Sequence, residues 1–192
     1  KLPDSTLKFQ DLCKINLNTG KYLAIQKLSD SKGDLIGIEH DGMLLFDSLS
    51  ESIIYLEYFR NKYYILDTNL ILRSEGNTID TTISANLHLA KQVKNDSTDK
   101  ITSSTARVTV NDASVINQGK LYTISGLRAD NQNIRHFNSH LNIDVYKVNN
   151  GEYLNSFVIS KAEGKQAKSI VISNDTLYVL FPKQINAYSI KY

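Results

Sequence analysis

An all-β fold is what this sequence predicts, and three observations carry that reading. The apolar residues lean to Ile, Leu and Val with 11 Tyr, against one Met and no Trp, a bias toward extended, half-buried backbone. Short alternating runs recur, as where Leu141, Ile143 and Val145 interleave with Asn142, Asp144 and Tyr146; that is the two-residue period of a strand with one buried face. Turn residues punctuate the runs at Asn18-Thr-Gly-Lys21, Asp67-Thr-Asn69 and Asn149-Asn-Gly-Glu152. The expected architecture is a set of four-stranded antiparallel blades of a β-propeller. About three to four blades fit in this length, a partial piece of a six-bladed ring. A closed four-bladed ring is the alternative.

The first elements form a hairpin, Phe9 to Leu17 and Tyr22 to Leu28 around the Asn18–Lys21 turn. The run Leu17-Asn-Thr-Gly-Lys-Tyr-Leu23 returns as Val148-Asn-Asn-Gly-Glu-Tyr-Leu154, displaced by 131 residues. That offset is three units of about 44 residues, the length of common propeller repeats. Leu35–Ile38, Gly42–Phe46, Ser52–Phe59, Tyr63–Leu66 and Leu70–Arg73 follow, separated by turn-like breaks, and have the number and spacing of a whole blade.

Residues 81–105 interrupt this rhythm and read as a polar insertion or loop. Lys94–Thr105 holds a single apolar residue, and a short helix over Ser84–Val93 would place Leu87, Ala90 and Lys91 on one face. Ala106–Val110, Ala113–Ile116, Leu121–Ser125, the run from His140 and the run from Tyr153 to Ser160 restore the strand pattern. Asn150-Gly151 predicts a turn with positive φ at both positions. Lys168–Ser173, Thr176–Phe181 and Gln184–Ile190 close the chain, with Pro182 in a turn where its missing N–H does no damage. The tally of two, four, four and three strands leaves the outermost blades incomplete. The chain is therefore expected to be a fragment of a larger propeller, a reading to which the absence of an initiator Met and signal peptide also points.

Composition narrows the function classes. The 192 residues suit a single domain, 1–192, and 41% hydrophobic content allows a real core. The 22 basic and 20 acidic residues are interleaved to a net charge of +2, so no electrostatic argument for a nucleic-acid partner exists. No apolar run approaches a membrane span. Cys13, the lone cysteine, excludes an internal disulfide or multi-cysteine zinc site and reads as a small buried hydrophobe.

Ile54-Tyr-Leu-Glu-Tyr-Phe-Arg-Asn-Lys-Tyr63, Leu121-Tyr-Thr-Ile-Ser-Gly126, Ile143-Asp-Val-Tyr-Lys-Val148 and Leu177-Tyr-Val-Leu-Phe181 with Ile185–Ile190 resemble the blades of TolB-like six-bladed propellers of the Bacteroidota type, in their C-terminal half. The resemblance covers roughly half the chain, through blade-packing motifs of low specificity. It implies an extracytoplasmic protein, periplasmic or lipid-anchored, and no particular reaction.

Catalytic motifs are missing: no Gly-x-Ser-x-Gly elbow, phosphate-cradling glycine loop or His-Glu-x-x-His helix occurs. Of the four histidines, His40, His88, His136 and His140, the last two have a spacing that suits metal ligation on a helix, but lie in loop-like sequence and read as solvated. Asp34, Glu39, Asp41 and Asp47 read as turn carboxylates. No catalytic residue, metal ligand or cofactor is assigned. The long connections 81–105 and 126–140 open on one face of the expected blades, and binding residues concentrate on such loops. Arg128, Asp130, Arg135, His136 and His140 are the polar candidates for binding a protein or small ligand, with Phe137 as an apolar anchor. The expected function is a non-enzymatic binding or scaffold module of the cell envelope. The alternative is a six-bladed hydrolase or lyase with an axial, metal-dependent pocket.

Overall fold

The structure is a computed structural model, which describes residues 11–28, 39–85, 89–94, 98–103 and 108–190. The described residues form five antiparallel sheets, each joining strands in chain order. The first pairs β1 (Asp11–Ile15) with β2 (Tyr22–Lys27). The second is β3 (Gly42–Asp47), β4 (Ser52–Glu57), β5 (Lys62–Asp67) and β6 (Leu72–Asn77). A ribbon of β7 (Leu89–Lys94) and β8 (Thr98–Ser103) follows. A second four-stranded sheet holds β9 (Asn111–Asn117), β10 (Lys120–Ser125), β11 (His140–Lys147) and β12 (Tyr153–Ser160). The last is β13 (Ser169–Ser173), β14 (Thr176–Leu180) and β15 (Ile185–Ser189). One helix, α1 (Ile134–Ser139), lies between β10 and β11.

Outside the β7–β8 ribbon, the expected sequence of two, four, four and three strands is what forms. Three readings need correction. The stretch Ser84–Val93 is not a helix, because Leu89–Lys94 pairs register for register with Thr98–Ser103. The polar run after it is half of that ribbon. Backbone pairing of the two segments satisfies their N–H and C=O groups. Of the predicted strand Ala106–Val110, Ala106 and Arg107 lie outside the described residues, Val108–Val110 are not strand, and β9 starts at Asn111. The expected strand Leu35–Ile38, together with His88 and Asp34, lies outside the described residues.

Apolar faces hold the sheets together in a stack. Tyr55, Tyr64 and Leu66 of the first four-stranded sheet pack with Leu12, Ala24 and Leu28 of the β1–β2 pair. On its opposite face Ile54, Leu56, Tyr63 and Ile65 meet Leu121, Tyr146 and Val148 of the second four-stranded sheet. That sheet turns Tyr122, Ile124, Ile143 and Val145 toward Ile170, Ile172, Leu177 and Val179 of the last sheet. Each such aliphatic side chain contributes about 1.5–3 kcal/mol on burial. The first strands of the three larger sheets are also neighbours, β3 beside β9 and β9 beside β13.

Stacking on both sides corrects the reading of β11 as half-buried. Asp144 and Tyr146, the nominally outward set, are 8% and 1% exposed. The first four-stranded sheet covers the Tyr146 end of their face, while Ser156 and Val158 on the same face stay exposed.

The repeated turn is the same structure twice. Gly20 N–H donates to the Asn16 carbonyl and Asn16 N–H to Lys21; Gly151 N–H donates to Lys147 and Lys147 N–H to Glu152. A register shift precedes each turn, between Lys14 and Ile15 and between Val145 and Tyr146. Gly20 and Gly151 have φ of 65° and 69°, whereas Asn150 has no positive φ, so the turn is longer than the two-residue type expected.

Candidate functional site

The connection from Ser125 to Asn133 folds over the end of the second four-stranded sheet and closes one side of a cleft of about 680 Å³. Its floor is strand: Ser125, Asn142, Asp144, Ser156 and Val158. Its far wall is Ile79-Asp80-Thr81, just beyond β6. Of the two long connections singled out in the sequence, 126–140 borders this cleft, and 81–105 meets it through Thr81 alone among the described residues.

Side chains cross the floor in a polar row. Ser114 Oγ donates to Thr123 Oγ1 at 2.7 Å, Thr123 sits opposite Asp144, and Ser156 Oγ donates to Asp144 Oδ1. A reciprocal pair of amide bonds, each 2.8 Å, joins Gln132 to Asn142 and fastens the loop to β11. Arg128 Nη1 donates to the Gln132 carbonyl at 2.6 Å, bracing the loop against itself. Asn133 then caps α1, its side chain accepting from Arg135 N–H, the usual role of Asn at that position. Burial raises the Asp144 pKa; the Ser156 hydroxyl opposes the rise and the Asp80 carboxylate adds to it. The cleft thus combines amides, hydroxyls, two interacting carboxylates and a small apolar patch of Ile79, Leu127 and Val158.

The six residues singled out in the sequence divide evenly. Arg128, Asp130 and His136 line the cleft; Arg135, Phe137 and His140 do not. Phe137 is half-buried, its carbonyl accepting from Lys161 Nζ at 3.0 Å while the ammonium lies 5.1 Å from its ring centroid. It ties α1 to the segment entering the last sheet. His136 and His140 occupy a helix and its C-cap rather than a loop. Their rings stack in parallel, 3.9 Å between centroids and 5° between planes, an arrangement that does not aim both nitrogens at a shared ion. His140 Nδ1 is 3.1 Å from the His136 carbonyl and 2.8 Å from Ser139 Oγ.

A second polar cluster, unrecognised in the sequence, sits on the neighbouring sheet. Glu57, fully buried at the end of β4, is bridged by Arg60 Nε and by Arg60 Nη2 at 2.7 Å, and its Oε1 lies 3.1 Å from His40 Nδ1. Tyr64 hydroxyl donates to the same carboxylate at 3.3 Å. Burial pushes the Glu57 pKa up, but the hydrogen bonds and charges of His40 and Arg60 win and hold it below the usual value. Asn111 Nδ2 donates to the Glu57 and Arg60 carbonyls at 2.8 and 2.9 Å, joining the two four-stranded sheets. Glu57 interrupts an otherwise apolar strand with Arg60 three residues on, and that was the one legible sign. His40 is buried. Asp47, also buried, holds the turn after β3 by accepting from Ser50 N–H and hydroxyl.

Among the described residues no three His, Cys, Asp or Glu side chains group closely enough to hold a metal ion, and no helix is long and apolar enough to cross a membrane. Cys13 is exposed rather than buried, because it lies on the face of the β1–β2 pair turned away from the stack. Compared with models of known protein families and with curated protein sequences, the chain matches none.

Proposed function

We propose that this chain is part of a β-propeller of the TolB-like type and acts as a non-enzymatic binding module, with its recognition surface in the cleft under residues 125–133. The resemblance of its blade-like motifs assigns it to the C-terminal half of such a ring and to an extracytoplasmic setting. The meander order of the sheets, their face-to-face stacking and the adjacency of β3, β9 and β13 support the propeller reading. The observation that carries binding is the cleft itself: about 680 Å³, within the range of small-molecule sites, with polar groups held on rigid strands and a loop locked by the Gln132–Asn142 amide pair.

The test is a thermal-shift screen of the protein against glycans, peptides and small metabolites, repeated on a variant with 128–138 replaced by a short Gly-Ser turn. Binding is expected in the parent and lost in the variant, with the fold intact by circular dichroism. Unchanged affinity in the variant would sink the assignment.

The second reading, a propeller hydrolase or lyase, draws on Asp144, whose raised pKa beside Asp80 suits a proton donor. It predicts turnover that is lost in Asp144→Asn while ligand affinity is kept.

A further inference from the structure

The loop over the cleft is tied down beside a histidine, and the surrounding hydrogen bonds decide which ring nitrogen carries the proton. Gln132 and Asn142 exchange amide bonds of 2.8 Å in both directions, Gln132 Oε1 accepting from Asn142 Nδ2 and Gln132 Nε2 donating to Asn142 Oδ1. The same Nε2 lies 3.1 Å from His136 Nδ1. An amide nitrogen only donates, so His136 Nδ1 accepts and the ring proton sits on Nε2. His140, stacked on it at 3.9 Å, has the opposite arrangement. Ser139 Oγ uses its hydrogen on the Arg135 carbonyl at 2.9 Å. His140 Nδ1 therefore donates, to Ser139 Oγ at 2.8 Å and to the His136 carbonyl at 3.1 Å.

Acid acts differently on the two rings. A protonated His140 keeps both partners, because its Nδ1 already donates. A protonated His136 loses its partner, since two donors then meet across the contact with Gln132. Two imidazolium rings stacked at 3.9 Å also repel each other. The neighbouring charges act in the same sense. Arg135 lies on α1 itself, Arg128 holds the Gln132 carbonyl, and Lys161, from the segment packed against α1, holds the Phe137 carbonyl. Glu163 follows on that segment, while Asp80, Asp130 and Asp144 line the cleft together with His136. Cations border the stack and carboxylates the cleft, so a charged His136 ring is drawn off His140 and away from Gln132.

We propose that His136 is an acid-sensitive latch on the cleft. Protonation of its Nδ1 breaks the bond from Gln132, releases the Gln132–Asn142 tie and frees residues 126–133 from the sheet, so that a ligand held at neutral pH is let go on acidification. The tie is complete while His136 is neutral and is lost as falling pH protonates the ring. It survives protonation only if both amides turn over together and present Gln132 Oε1 to the charged ring, which departure of that ring from the stack prevents. The inference rests on the cleft reading for its consequence, ligand release, but not for the latch itself. Every readout below is taken without ligand, so failure of the latch leaves the binding assignment standing, and absence of a ligand leaves the latch standing.

The experiment follows hydrogen exchange of the 126–133 amides, corrected for the pH dependence of the chemical step, together with side-chain amide and imidazole NMR signals. The 192-residue protein is taken from about pH 7.5 to about pH 5, a span that covers imidazole protonation. Exchange is expected to rise about tenfold or more, in step with the His136 ring signals rather than those of His140. His136→Gln, which can accept from Gln132 without titrating, is expected to abolish the rise. Asp144→Asn is expected to keep it, which separates the histidine from the carboxylate that burial raises on the cleft floor. No rise in the parent, an equal rise in His136→Gln or loss of the rise in Asp144→Asn would overturn the proposal. So would Gln132 and Asn142 amide signals that stay paired at the acid end. Tracking exchange against the His136 ring uses the unmutated protein and remains decisive if a variant does not fold.

Discussion

Tyr63 reaches from β5 across to the β11–β12 turn, and its hydroxyl lies against both Gly76 and Gly151. A Cβ on Gly151 would collide with that ring, while a Cβ on Gly20, in the matching turn of β1–β2, meets nothing. Both glycines have positive φ, so alanine at either costs about 1–2 kcal/mol of backbone strain. At Gly151 overpacking adds about 1–3 kcal/mol. Urea denaturation of the two variants should therefore separate them by more than 1 kcal/mol, with Gly151→Ala the weaker protein; equal losses would refute the wedge.

Two of the buried carboxylates, Glu57 and Asp144, carry opposite pH signatures. Glu57 is lowered by His40 and Arg60, so its contribution is full above the ordinary Glu range and is lost as pH falls through the lowered folded value. Glu57→Gln leaves the partly buried Arg60 unpaired and should cost about 3 kcal/mol at pH 7. The gap to the parent should narrow below about pH 4. Asp144 is raised, chiefly by burial, so protonation favours its folded form. Asp144→Asn should be neutral or stabilising at pH 7, and this difference should vanish on acidification. A loss of stability in Asp144→Asn at neutral pH would show that its bond from Ser156 outweighs its desolvation.

At the scale of elements, what the sequence made legible depended on what each strand packs against. Alternation and turn residues located β3, β4, β10, β11 and the last three strands, because those segments carry apolar residues for a core. The β7–β8 ribbon was missed, since Lys94–Thr105 carries a single apolar residue and so offered no alternation to read. Asp144 was read as solvent-facing because alternation reports one buried face and cannot announce a second sheet across the other. Cys13 was misplaced for the converse reason, its outward face having no sheet upon it. Of the cleft, the loop and three of six residues were legible. Asp80, Asn142 and Ser156 were not, because strand register brings Ser156 beside Asp144 while Asp80 comes from the loop after β6 of the neighbouring sheet. The loop itself is held by side chains, not by a core: Gln132 and Asn142 form its main tie to β11. Asn142→Leu should therefore raise proteolytic nicking within 126–133 while lowering global stability by less than about 1.5 kcal/mol. Undiminished protease resistance would mean that α1 and the Lys161–Phe137 contact suffice to hold the loop.

Across the whole molecule, burial is unequal along the stack. Each four-stranded sheet contributes to two apolar clusters, one on each face, and side chains such as Leu56 and Leu66 in the first and Tyr122, Ile124, Ile143 and Tyr146 in the second are at 1% exposure or less. The β1–β2 pair contributes to one cluster and leaves Ile15, Leu23 and Ile25 between 44% and 58% exposed. The last sheet is likewise covered on one face, with Val171, Tyr178 and Ile185 open on the other. Since local opening free energy follows the apolar contacts that must be broken, stability should fall from the centre of the stack toward its ends. Native-state hydrogen exchange is expected to give the slowest amides in β4, β5, β10 and β11, intermediate ones in β14, and the fastest in β1 and β2. The β1–β2 amides should open without global unfolding, and so show little dependence on denaturant at low concentration. Uniform protection across all the sheets would mean that the stack unfolds as one cooperative unit. The Asn111 bonds to Glu57 and Arg60, and Tyr63 at the Gly151 turn, would then transmit more coupling between sheets than their separate packing implies.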